Sequence, residues 1–269
     1  MNADALMEFF YEVIMSKKLV RPLLIAVAIA ALCVIIWCGW YLYQYMHGNI
    51  LGNELLESWR GEQTADNIMA ESVEIPVDFD ELRDINPEIY AWLYVPGMDI
   101  SYPVVQHDGD NNYYIRRSVD GQYYTGGCIY SENYNHKDFS DRMTVLYGHN
   151  LRSGKMFAPL NDFADVKVYD EHRYIYIYLP DRMLVYEIFA ATPHPSEHLL
   201  LNHDFNNRQE YNDFFGEFMY KRNLNANYLE NVELNYSDDK ILTLSTCLRG
   251  DNQQRFLVMG RLISDIPGK

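Results

Sequence analysis

The stretch Ile241-Leu-Thr-Leu-Ser-Thr-Cys247, followed by a short polar loop and then Arg255-Phe-Leu-Val-Met-Gly260, decides how this chain folds. Both halves are rich in β-branched and large apolar residues, and Arg249-Gly250-Asp251-Asn252 supplies turn chemistry between them. Side chains alternate along a strand, so Leu242 and Leu244 share one face while Thr243, Ser245 and Cys247 share the other. Paired as a hairpin around 248–254, the strands set Cys247 beside Arg255, with facing Cβ atoms roughly 5 Å apart. A thiol at a strand end beside a fixed cation suits nucleophilic catalysis.

Such a thiol needs a proton partner. Thr144-Val-Leu-Tyr-Gly-His149-Asn150 is a second short apolar run that is broken by a glycine and ends in a histidine. Taken singly, a cysteine is most often a small buried hydrophobe and an arginine a solvated charge. The ordered set is more specific: a histidine after a strand, a cysteine at a strand end, an arginine opening the next strand.

Thr243-Leu-Ser-Thr-Cys247, Tyr147-Gly-His149-Asn150 and Arg255 together resemble the sortases, over roughly residues 77–263. The resemblance implies Cys247 as nucleophile, His149 as proton donor and acceptor, and Arg255 as the group that positions substrate and stabilises the oxyanion. Ser245 and Thr246 flank the thiol and are candidates for substrate contact, Thr246 alternatively packing behind its strand. Read from the residues, a free thiol is only a few per cent ionised at neutral pH. Activity therefore requires a thiolate at Cys247 and an imidazolium at His149 that later protonates the leaving amine. The family implies a thioester acyl-enzyme resolved by an amine, with no cofactor and no metal. Its donors are secreted proteins bearing a C-terminal sorting motif, and its acceptor is an amine of peptidoglycan or of its lipid-linked precursor. The alternatives are another cell-wall thiol peptidase, an L,D-transpeptidase, or a non-catalytic surface binding module. A papain-like enzyme places its Cys before its His, the reverse of the order here. The Ser-x-Gly-Cys signature of L,D-transpeptidases is absent.

Composition narrows the setting. A length of 269 residues fits one domain of about 180–200 residues with an appendage. A formal charge of −16 argues against nucleic acid, which demands basic patches. Residues 23–43 carry no charge and are long enough to cross a hydrocarbon core about 30 Å thick. Lys17, Lys18 and Arg21 precede that run, and Trp37, Trp40, Tyr41, Tyr43 and Tyr45 belt its far end. The expected topology is a single-pass signal anchor, cytoplasmic at its N-terminus and extracellular beyond. The run is too long for a cleaved signal peptide and no small-x-small site follows it. The expected divisions are a cytoplasmic tail (1–22), the anchor (23–43), a helical stalk and linker (44–76) and a catalytic domain (77–269). Leu6, Phe9, Phe10, Val13 and Ile14 recur at helical spacing in the tail.

From residue 89 the chain turns β-rich, with strands expected at 90–95, 100–106, 127–130, 143–147, 174–179, 183–191, 240–246 and 255–263. Eight short strands with long excursions predict a mainly β fold, a closed β-barrel with helices before it. Tyr174, Tyr176 and Tyr178 share one face and are expected as half-exposed sheet surface. Phe205, Tyr211, Phe214, Phe215, Phe218 and Met219 form a helical stripe in the long excursion before the Cys247 strand. In the resemblance, that helix and the N-terminal ones point to class B, and the helix walls the substrate groove. Outside the span only Cys128 and Cys247 remain; a disulfide between them is possible, but both are expected free. His194, His198 and His203 with Glu197 lack a metal-binding motif, and Asp108-Gly-Asp110-Asn-Asn112 lacks the closing Glu of a calcium loop.

The topology is directly testable. Protease added to intact cells or spheroplasts should degrade the C-terminal domain and spare the N-terminal tail. Protection of the C-terminal domain would overturn the expected orientation.

Overall fold

The structure is a computed structural model that describes residues 5–8, 11, 17–58, 70–220 and 225–269. The chain divides into two units, Met1–His47 and Gly48–Lys269. Helix α1 (Lys17–Ser58) carries the apolar run. Its portion Val20–Tyr43 has a mean hydropathy of 2.7 and none of its side chains are buried by the protein. A helix that is apolar on every side needs apolar surroundings, and this one is long enough to cross a membrane. In the tail Leu6 and Tyr11 are helical and exposed, while Phe9, Phe10, Val13 and Ile14 lie outside the described residues. The expected stalk is helical as far as Ser58, and residues 59–69 likewise lie outside the description.

In the second unit a short helix, α2 (Phe79–Ile85), starts where the Asp78 carboxylate accepts from the backbone N–H groups of Asp80 and Glu81. It ends at Asn86, just before Pro87, which disfavours helical backbone in its predecessor. The strands follow: β1 (Ile89–Val95), β2 (Ile100–Val105), β3 (Ile129–Ser131), β4 (Met143–Tyr147), β5 (Tyr174–Leu179), β6 (Arg182–Pro195), β7 (Asn227–Tyr228), β8 (Ile241–Leu248) and β9 (Asp251–Pro267). They run in the order β5-β1-β2-β3-β4-β8-β9-β6, and β5 pairs again with β6 to close the ring. Eight strands thus form the barrel, and the two-residue β7 extends it beside Ala190 and Ala191 of β6.

Most pairings are antiparallel, but β2–β3 and β4–β8 are parallel. The second parallel pairing matters for function. Parallel neighbours finish at the same edge, so the exits of β4 and β8 meet, with Tyr147 opposite Ser245. The β8–β9 hairpin sets Cys247 opposite Arg255 and Thr246 opposite Phe256.

Alternation divides the side chains between an interior and two covered outer faces. Leu93, Ile177, Leu184, Leu242, Leu244 and Val258 belong to the interior cluster. Met143, Val145, Ile241, Leu257 and Met259 point outward and are covered by Tyr211, Phe214, Phe215 and Phe218 of helix α5 (Arg208–Tyr220), which follows the short helices α3 (Val166–Glu171) and α4 (Leu199–Asn202). Double-sided burial explains why these strands read as nearly continuous apolar runs. It also corrects the tyrosine row: Tyr176 and Tyr178 are buried, because Val73, Val77, Phe79 and Leu82 cover that outer face. Among the three, Tyr174 alone is partly exposed.

Leu244 is fully enclosed in the barrel interior, three residues before Cys247. Leu244→Ala should cost about 3 kcal/mol through lost burial and a residual cavity. That corresponds to a melting point lower by roughly 6–12 °C in a domain of this size, read from thermal unfolding of the full chain in detergent. An unchanged melting point would contradict the interior assignment.

Candidate active site

Cys247, His149 and Arg255 line one cavity of about 140 Å³ with Ile115, Tyr130, Tyr147 and Ser245. The strands that carry them explain the convergence. Arg255 Nη1 approaches Cys247 Sγ at 3.4 Å across the β8–β9 hairpin. His149 sits two residues past the end of β4, and Gly148 N–H donates to the Ser245 carbonyl at 3.2 Å, prolonging the parallel pairing. Gly148 is required by space: a Cβ there would stand 2.5 Å from Ile129 Cδ1 and 2.7 Å from Phe157.

The imidazole is oriented by the backbone. His149 Nε2 lies 2.8 Å from the Ile115 carbonyl oxygen. A carbonyl only accepts, so Nε2 carries the proton and Nδ1 is the nitrogen left for exchange within the cavity. Cys247 is held from behind as well. Its carbonyl accepts from Asn150 Nδ2 at 3.0 Å and from Asn161 Nδ2 at 3.4 Å. Asn161 Oδ1 in turn accepts from Arg249 N–H at 2.7 Å. The Arg249 side chain is engaged away from the thiol, donating to Asp162 at 2.9 Å and to the Ala158 carbonyl at 3.2 Å.

Both flanking residues line the cavity, Ser245 from the thiol's own face of β8. The Thr246 hydroxyl donates to the Gly148 carbonyl at 2.8 Å, tying the histidine loop to the cysteine strand.

Several contributors are not assigned a role by the sequence, Asn150 among them although it closes the His149 motif. Ile115, Asn150 and Asn161 act through contacts at sequence separations of 34, 97 and 86 residues. Glu132, just past β3 and 8 % exposed, lies with its Oε2 2.8 Å from Nε2 of His198. The Leu201 N–H donates to His198 Nδ1, which leaves the proton on Nε2, facing the carboxylate. Burial raises Glu132 above the ordinary carboxylate range, His198 opposing the shift. The phenols of Tyr130 and Tyr147, stacked 5.5 Å apart, are pushed up chiefly by burial and further by Glu132, while Arg255 pulls both down. The cavity therefore has a cationic side at Arg255 and a buried carboxyl group behind its tyrosines. His194 and His203 both address Glu197, at 3.4 and 3.9 Å, whereas His198 turns to Glu132, so the three histidines do not converge. Cys128 and Cys247 are both free. Helix α5 contributes no lining residue to the cavity and instead backs the outer face of the sheet.

A strand-end thiol facing a guanidinium, with an imidazole at the exit of the neighbouring parallel strand, defines a thiol-dependent acyl-transfer enzyme. Comparison with known proteins agrees. A sortase-domain family model matches residues 93–263. Sortase B of Listeria monocytogenes is 24 % identical over 242 residues, 89 % of this chain and 96 % of that protein. The crystal structure of Clostridium perfringens sortase B superposes with a TM-score of 0.62 at 28 % identity, covering 70 % of this chain and 100 % of that one. A Streptococcus pyogenes class B sortase involved in pilus biogenesis gives a TM-score of 0.59 at 29 % identity, covering 70 % and 98 %. The chain belongs to the sortase family, the cysteine transpeptidases of the cell wall, and its relatives are of class B.

The two thiols outside the apolar helix should behave differently. Burial pushes the Cys128 thiol far up, and its Sγ–H donates to the Arg117 carbonyl at 3.2 Å. Iodoacetamide should therefore label Cys247 at least about tenfold faster than Cys128, read by peptide mapping, since only thiolate reacts. Cys128→Ala should keep activity and Cys247→Ala abolish it; equal loss in both would contradict this assignment.

Proposed function

We propose that this chain is a membrane-anchored transpeptidase that cleaves a C-terminal sorting signal of secreted proteins and transfers the new carboxyl end to a cell-wall amine. The observation that carries the reading is the 3.4 Å approach of the Arg255 guanidinium to the Cys247 thiol in the cavity that His149 also lines. The Cys247 thiolate attacks the scissile carbonyl, forming a C–S bond and an oxyanion. Arg255 stabilises that charge, and Ser245 and Thr246 help to seat the peptide. Collapse breaks the C–N bond as the His149 imidazolium delivers its proton to the departing amine, leaving a thioester. An acceptor amine, from peptidoglycan or its lipid-linked precursor, then attacks. His149 takes its proton, and the thiolate is expelled as the new amide forms.

In this reading residues 23–43 anchor the enzyme with residues 1–22 in the cytoplasm. Residues 44–76 form the stalk and linker, and residues 77–269 catalyse outside. The apolar surface of Val20–Tyr43 and the basic residues before it support that arrangement.

The test separates oxyanion stabilisation from simple charge. A planar five-donor guanidinium reaches both the thiol and a developing oxyanion, which an ammonium does not reproduce. Arg255→Lys should lose about 10²–10³ in turnover of a fluorogenic sorting peptide despite keeping its charge. Arg249→Lys, whose side chain faces Asp162, should stay within about threefold of wild type, the difference between a site residue and an exposed ion pair. His149→Ala should be as damaging as Arg255→Ala. Wild-type turnover by Arg255→Lys would refute the oxyanion role.

A further inference from the structure

We propose that Tyr114 and Glu88 are positioning residues for His149, acting through the Ile115 carbonyl. The inference rests on the reading of His149 as the proton carrier. It starts from the fact that the imidazole's orienting acceptor is a main-chain atom, which is only as well placed as the turn that bears it.

That turn is the 3₁₀ segment Tyr113–Arg116. Tyr114 is buried, and its hydroxyl donates to Glu88 Oε2 at 2.5 Å while accepting from Asn86 Nδ2 at 2.7 Å. Asn86 is itself fixed, donating to the Val119 carbonyl at 2.7 Å and accepting from the Glu88 N–H at 2.9 Å. The Glu88 carboxylate is met from its other side by His107 Nδ1, at 2.8 and 3.0 Å from its two oxygens. The His107 ring stacks on Tyr113 with centroids 3.8 Å apart. Both residues that precede Ile115 are thus tied to one Glu88–His107 pair at the open end of the β1–β2 hairpin. Burial, with the Glu88 carboxylate adding to it, holds the phenolic proton on Tyr114, so the hydroxyl remains a donor.

The opposite side of the turn is closed by backbone. Cys128 N–H donates to the Tyr114 carbonyl at 3.1 Å. Gly127 has φ +61°, and a Cβ there would stand 2.6 Å from the Ile115 carbonyl oxygen itself. Between the Glu88 anchor and this glycine wall, the carbonyl that addresses His149 has one position. The arrangement does for a main-chain acceptor what a buried carboxylate does for the histidine of a catalytic triad: it fixes the tautomer and the ring plane.

Tyr114→Phe isolates the effect, because it removes one hydroxyl and keeps the ring. Asn86 keeps Val119 and Glu88 keeps His107, so each retains a partner and the loss is confined to the phenol's two bonds, one Asn86 N–H among them. Two readouts on the full chain in detergent decide the matter. With a donor peptide drawn from a library of C-terminal sorting sequences, kcat should fall about tenfold while KM stays within about twofold, part of the 10²–10⁴ that a well-placed acid–base contributes. Iodoacetamide labelling of Cys247 near neutral pH, which needs no peptide, should slow several-fold. Glu88→Ala should reproduce both losses, and Glu88→Gln, which keeps an acceptor for the phenol, should recover most of them. Wild-type kcat and wild-type labelling in Tyr114→Phe would overturn the proposal. So would a fall in kcat that matches a fall in titratable Cys247, since that reports unfolded protein. If the unaltered chain turned over no peptide, the transpeptidase reading would fail while the labelling contrast would still decide this one.

Discussion

The register of one hairpin carries the rest of the structure. Cys247 faces Arg255 only because β8 and β9 pair with Thr246 opposite Phe256 and Leu244 opposite Val258. Leu244, Phe256 and Val258 belong to the barrel interior, so the burial that stabilises the fold also aims the thiol and the guanidinium outward. A slip of one residue would exchange the two faces, exposing apolar side chains and burying the reactive pair. Core packing therefore guards the active site, and no separate device is needed to keep these two groups together.

The second constraint is the parallel pairing of β4 with β8. It brings two strand exits to one edge, where a glycine lets the chain turn close to Ile129 and Phe157 before His149. Around that edge the polar side chains have divided duties. Asn150 and Asn161 hold the Cys247 carbonyl, Thr246 holds the Gly148 carbonyl, and the Ile115 carbonyl holds the imidazole. Toward the cavity stand the thiol with its guanidinium, the second imidazole nitrogen, Ser245 and the rings of Tyr130 and Tyr147. In a chain of net charge −16, Arg255 sets a cation directly beside the thiol.

Much of this was legible in the sequence. The eight barrel strands follow from apolar runs and turn residues, and the Cys247–Arg255 facing follows from alternation and loop length. What local patterns do not carry is contact between distant segments. Asn150 closes the His149 motif without a readable role and Asn161 carries no signal at all, because their partner lies 97 and 86 positions away. Ile115 reads as one more apolar residue, since its contribution is a backbone atom. Tyr176 and Tyr178 read as surface, because the helix and strand edge that bury them come from about a hundred residues earlier in the chain. The two residues of β7 are too few to leave a periodic signal. Glu132 and His198 are ordinary polar residues in sequence, and the buried carboxyl meets its half-buried imidazole only when β3 and the segment after β6 come together.

The central claim is that acyl transfer passes through Cys247. The most direct measurement is intact-mass spectrometry of the full chain in detergent, mixed with a library of C-terminal sorting peptides, with and without an added primary amine. The account predicts a covalent adduct equal in mass to the N-terminal peptide fragment, mapped to Cys247 and discharged faster when the amine is present, with the amide as product. Cleaved peptide without an adduct at Cys247, or an adduct whose lifetime ignores the amine, would contradict it.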